Sequence, residues 1–147
     1  SVFDEEKIEW CEELGVERYK IASRTVVIEP GLCQKIIDLG KTTYISLGFW
    51  DGLELPFVGD NIHYFNCISK YPTSCLDLKN FTYDKNVVGL SDHSYGISYA
   101  LFIEKHFTLN KGMNGNDHIG SMSLSELKSL RKNGDALFNI KRNIKYE

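Results

Sequence analysis

Along the first third of the chain, apolar positions alternate between a helical and an extended spacing. Ile8, Cys11 and Leu14 fall three positions apart, as on one face of a helix. Asp4 precedes this stripe as an N-cap, Glu5 and Glu6 occupy the first turn, and Gly15 provides a stop. Arg18 to Ala22 reads as a short strand. A second helix opens at Pro30, a residue favoured in the first turn, and runs through Leu32, Ile36 and Leu39 to Gly40. Thr42 to Leu47 is the next strand. Helices and strands that alternate with short joints predict a parallel α/β sheet.

Beyond residue 48 the pattern changes. Strand-like runs recur at Ile62–Ile68, Val87–Leu90 and Leu101–Glu104, but the segments between them make poor helices. Residues 49–60 carry Gly52, Pro56 and Gly59, and residues 71–86 are polar and irregular. Only Tyr95 to Ala100 separates the last two strands, where a parallel connection normally takes about a dozen residues. The last helix is plainer. Ser123 and Glu126 form a capping box, and Leu127, Leu130, Leu137, Ile140 and Ile144 continue one apolar face. Asn133-Gly134 is expected to break or bend it.

The chain has 147 residues, enough for one domain with a core, and no internal repeat divides it. We expect a single domain over residues 1–147. Net charge is −3 at neutral pH, which gives no reason to expect nucleic acid, since that usually requires a concentrated basic face. No apolar run reaches the length of a membrane span and no signal peptide is recognisable, so neither membrane nor secretion is expected. Cys11, Cys33, Cys67 and Cys75 form no CxxC pair and read as reduced thiols of a cytoplasmic protein.

Chemistry collects where the strands end. The strand ends carry Lys20-Ile21-Ala22-Ser23, then Ile45-Ser46, then Cys67-Ile68-Ser69-Lys70-Tyr71-Pro72. The last two carry Gly89-Leu90-Ser91-Asp92-His93 and Ile103-Glu104-Lys105-His106-Phe107-Thr108. In a parallel α/β barrel the C-terminal strand ends gather around one mouth, where active sites lie. Small residues such as Ala22 and Gly89 leave room for a ligand there. Taken singly, each serine reads as a turn residue and each histidine as a hydrogen-bonded core residue. Their shared location argues for a site.

The runs YKIAS, CISKYPT, VGLSDHSYGI, IEKHFTL and GNDH, in that order, resemble the sialic acid (N-acetylneuraminate) synthase family. The opening SVFD resembles the end of an earlier strand of the same family, so the resemblance covers essentially the whole chain. It implies an α/β fold, a partial, half-like TIM-type barrel of about five parallel strands with reduced helices. It also implies a phosphoenolpyruvate-dependent synthase that condenses phosphoenolpyruvate with an N-acetylated amino sugar, with Mn2+ or Mg2+ as cofactor. By resemblance, His93 and His106 are the metal ligands. Lys20, Ser23, Ser46, Ser69 and Ser91 hold phosphoenolpyruvate, and Tyr71 and Asp117 face the sugar. Asp92 and Glu104 orient their neighbours, and His63 and His118 are not ligands.

The chain also departs from the family pattern. Thr25 stands where an acidic residue is usual, Asn66 where a histidine is usual, and Gly115-Asn116-Asp117 where GPD is usual. The barrel's first strands and its C-terminal antifreeze-like domain have no counterpart in these residues. Five strands leave two sheet edges, and outward residues such as Val88 and Leu90 are expected to be poorly covered. Self-association, or a complementing N-terminal barrel half, follows as the expected partner. Two functions stay open: a synthase, inactive as this chain alone, or a non-catalytic anion-binding or assembly module on a degenerate barrel scaffold.

Overall fold

A computed structural model describes residues 1–74, 77, 85–95 and 102–143. Cys75, the crossover at residues 96–100, Ile144 and the side chain of Ile140 lie outside that description. The elements in chain order are α1 (Glu5–Glu13), β1 (Arg18–Ile21), α2 (Ser23–Ile28), α3 (Pro30–Asp38), β2 (Thr42–Ser46), β3 (Ile62–Cys67), β4 (Val87–Asp92), β5 (Ile103–Lys105) and α4 (Leu124–Asn143). The strands follow one another in the sheet as β1-β2-β3-β4-β5, and β1–β2, β2–β3 and β4–β5 pair in parallel. This is the expected α/β fold of five consecutive parallel strands with few helices. The chain contacts divide into two compact units, Ser1–Ser69 with Phe81–Val88, and Lys70–Asn80 with Gly89–Glu147.

The first unit holds the apolar core. Side chains alternate across a strand, so Tyr19 and Ile21 of β1, Ile45 of β2, and Ile62 and Tyr64 of β3 bury one face. Val26 of α2 and Leu32, Cys33, Ile36 and Ile37 of α3 belong to the same cluster. Lys20, Tyr44 and His63 are aligned across the other face, where the Tyr44 ring lies 5.6 Å from His63 and 5.5 Å from Phe65. Asp4 caps α1 as expected, its carboxylate accepting the Lys7 N–H at 2.9 Å. Gly15 and Gly40 end α1 and α3 at φ 67° and 70°, a region that favours glycine. Helix α2 is not legible in the sequence. Its run of Thr25, Val26, Val27 and Ile28 is β-branched and has weak helix propensity, and burial of Thr25 and Val26 stabilises the turn instead.

Among the described residues of the second unit, more polar side chains are buried than apolar ones: Leu90 and Met122 are the buried hydrophobics, beside Thr73, Ser91, Asp92, His93, Ser94, Thr108 and Ser121. Leu90, expected to be poorly covered, is only 7% exposed. Helix α4 runs unbroken through Asn133-Gly134, contrary to the expected break. A glycine inside a helix costs only about 1 kcal/mol, and the Arg131–Asp135 pair at 2.8 Å spans the weak turn. The capping box is present: Ser123 N–H donates to Glu126 Oε2 at 2.7 Å, and Glu126 N–H donates back to Ser123 Oγ at 3.4 Å.

Lys111 and the Ser123 N–H hold the Glu126 carboxyl down at about 2, against an ordinary 4.5. A depressed folded-state pKa means the contribution is present above about 4.5 and is lost as pH falls toward about 2. In Glu126→Gln that increment should be missing at neutral pH, and the gap to the parent should close across the same window. Circular dichroism during urea unfolding at successive pH values checks this; a gap that stays constant down to about pH 2 contradicts it.

Candidate metal and phosphate site

In the second unit, β4 and β5 pair Ser91 with Glu104 and Asp92 with Lys105. Ser91 Oγ donates to Glu104 Oε2 at 2.6 Å. His93 and His106 follow directly on the two strands. Their rings lie 5.3 Å apart between centroids with an interplanar angle of 18°. Both backbones are anchored from neighbouring segments: Thr73 N–H donates to the His93 carbonyl at 2.9 Å, and Met122 N–H to the His106 carbonyl at 2.8 Å. Gly120 lies close beside them: a Cβ there would stand 3.1 Å from the His93 carbonyl oxygen, a tight contact. The half-exposed Tyr71 ring packs 4.1 Å from His93 and 6.2 Å from His106.

His93 and His106 are the side chains here that could hold a divalent ion. With metal–nitrogen bonds of about 2.1 Å, two cis imidazoles have centroids about 5 Å apart. Among the described residues, no group of three or more His, Cys, Asp and Glu side chains is arranged to hold a metal. A metal here would therefore complete its shell with water or ligand oxygens, as Mn2+ and Mg2+ commonly do. Neighbouring residues serve other ends. Thr108 Oγ1 lies 2.8 Å from His118 Nδ1, and Ser121 Oγ donates to the exposed Asp117 through its carbonyl at 2.6 Å.

The first unit carries a cluster of hydroxyls at the ends of its strands. Ser23, the first residue of α2, and Ser69 place their Oγ atoms 2.9 Å apart. Ser46 Oγ, at the end of β2, is buried and has no hydrogen-bond partner among the described residues. Such an orphan costs about 1–3 kcal/mol, and a polar atom of a ligand is one partner that would satisfy it. Gly48 keeps the space open: a Cβ would lie 2.3 Å from Ser69 Oγ and 2.8 Å from Cys67 Sγ. Lys20 lies on the Tyr44 face of the sheet, opposite the core, and contributes a cation to that unit.

A family model described as the NeuB family matches residues 1–145. The chain belongs to the NeuB family. It is 32% identical to the N,N'-diacetyllegionaminic acid synthase of Legionella pneumophila, over 87% of this chain and 43% of that protein. It is 34% identical to the synthase of the same name in Campylobacter jejuni, over 87% of this chain and 45% of that protein. The N-acetylneuraminate-9-phosphate synthase of Drosophila melanogaster is 27% identical over 88% of the chain and 41% of that protein. The chain thus spans less than half the length of these curated relatives.

Within this NeuB-family chain the sequence-derived residues fall into two groups by compact unit. Ser91, Tyr71, His93 and His106 belong to the second, where the rings of the last three pack together. Lys20, Ser23, Ser46 and Ser69 belong to the first. Thr25, where the family usually carries an acidic residue, is a buried residue of α2. The sequence reading missed Lys105, whose ammonium is buried in an ion pair with Asp92, and missed the role of Gly48. Both signals were faint, a lysine at a strand end and a glycine in a loop. Among the described residues no helix is long and apolar enough to cross a membrane.

Proposed function

We propose that this chain supplies the metal and phosphoenolpyruvate positions of a synthase that condenses phosphoenolpyruvate with an N-acetylated amino sugar. The observation that supports this reading most is the His93–His106 ring pair at adjoining strand ends in a NeuB-family chain. His93 and His106 would hold Mn2+ or Mg2+, which when bound polarises the aldehyde of the open-chain sugar. Lys20 and the Ser23, Ser46 and Ser69 hydroxyls would hold the phosphate and carboxylate of phosphoenolpyruvate by charge-assisted hydrogen bonds. Glu104 holds Ser91 by its hydroxyl and so sets the donor direction of that group. Tyr71 and Asp117 would face the sugar. In the condensation, the enol carbon bonds to the aldehyde carbon, water adds to the former phosphoenolpyruvate C2, and phosphate leaves with C–O cleavage.

Catalysis needs its groups fixed together, and these residues span less than half of the relatives' length. The 147-residue chain alone should therefore release no phosphate from phosphoenolpyruvate with N-acetylmannosamine and Mn2+. Grafted in place of the matching segment of the Campylobacter jejuni relative, it should restore metal-dependent release. A graft that folds and binds metal yet releases none would favour the alternative, a non-catalytic anion-binding or assembly module. The terminal strands β1 and β5 present sheet edges, so light scattering after size exclusion should find a dimer or larger species. A monodisperse monomer would contradict that assembly.

A further inference from the structure

The residues that immediately precede the two histidines form a buried ion pair. Lys105 Nζ lies 2.9 Å from Asp92 Oδ2, with side chains 1% and 0% exposed. Side chains alternate across a strand, so this pair occupies the face opposite Ser91 and Glu104. Its contacts converge on the residue after His93: Lys105 Nζ donates to the Ser94 carbonyl at 2.6 Å, and Ser94 N–H donates to Asp92 Oδ1 at 2.9 Å. Both peptide groups of Ser94 are therefore held by the pair, while the His93 carbonyl is held by Thr73. A buried ion pair is weak evidence for a stability role, because it can often be replaced by apolar residues of similar volume without loss.

We propose that Asp92 and Lys105 are positioning residues that fix the His93 and His106 rings relative to each other, and so set affinity for a divalent cation. The cation part of this inference rests on the function proposed above; the ring geometry does not. Tying residue 92 to residue 105 fixes the register of the next pair. Holding Ser94 fixes the direction in which the chain leaves His93. Beyond this rung the two strand ends are held from different neighbours, His93 by Thr73 and His106 by Met122, so the ion pair is what ties one end to the other.

The test is the charge-free double variant Asp92→Leu/Lys105→Met, read by imidazole proton NMR without metal and by Mn2+ titration followed by electron paramagnetic resonance. In the parent, packing of Tyr71 against His93 at 4.1 Å and of His93 against His106 at 5.3 Å should displace the imidazole resonances from those of an exposed histidine. The double variant should stay folded by circular dichroism while its His93 and His106 resonances move toward exposed values. Its Mn2+ affinity should fall by roughly 10–100-fold, the usual cost of losing an outer-shell support. Unchanged ring resonances would overturn the proposal. Loss of the fold would overturn it as well, by making the pair a stability element. If the parent binds no Mn2+ while its rings shift in the double variant as expected, the positioning role stands and the metal reading fails.

Discussion

Gly89→Ala is expected to destabilise the protein by about 3 kcal/mol or more, the upper end of what an added methyl costs in a packed site. A Cβ at position 89 would stand 2.0 Å from the Phe102 carbonyl oxygen and 2.8 Å from its carbonyl carbon. Both are backbone atoms, so no side-chain rotation relieves the clash. The same Phe102 oxygen accepts the Leu90 N–H at 3.1 Å, alongside the rungs that join β4 to β5. Moving Phe102 therefore strains the pairing that brings Ser91 to Glu104 and places His93 next to His106. Urea unfolding of parent and variant measures the effect. A variant within about 0.5 kcal/mol of the parent, the range of an ordinary surface change, would mean that β5 is not held against β4 as described.

His93→Ala and His106→Ala should each abolish Mn2+ binding, with a loss beyond the roughly 10–100-fold that removal of a mere supporting contact produces. With only two protein nitrogens in the pair, either substitution leaves one imidazole, and a single donor competes poorly with water. His63→Ala and His118→Ala serve as controls that should bind as the parent does. His63 packs at a tilt against Tyr44, and His118 bonds to Thr108. Electron paramagnetic resonance of free Mn2+ during titration reads all four. If either control lost binding while a pair variant kept it, the donor assignment would be wrong.

Local codes made most of the fold legible in the sequence. The Asp4 cap, the Ser123–Glu126 box, and Gly15 and Gly40 each satisfy a helix end through one or two side chains or one backbone conformation, so the residues name the structure. The strand positions were visible because their apolar residues recur with the sheet's period. Helix α2 was hidden because its residues prefer strands and only burial of Thr25 and Val26 overrides that preference. The continuity of α4 was hidden for the converse reason, since a local breaker was outweighed by a twenty-residue helix.

The candidate site divides in the same way. Motif order singled out His93, His106 and the serines, and the fold brings the two imidazole rings to 5.3 Å of each other. The sequence could not reveal that Lys105 is sealed against Asp92, because a lysine at a strand end ordinarily reaches water. Nor could it single out Ser46 as the serine whose hydroxyl lacks a partner among the described residues. Both facts depend on which atoms the fold brings within about 3 Å of one another. That information is tertiary.

Calorimetric titration of phosphoenolpyruvate into the folded 147-residue protein tests the proposed phosphoenolpyruvate site most directly. Saturable binding of one molecule per chain is expected, weakened by added salt because part of the attraction is electrostatic, and weakened further in Lys20→Ala. Absence of saturable heat, or binding that is indifferent to both salt and the loss of Lys20, would contradict it.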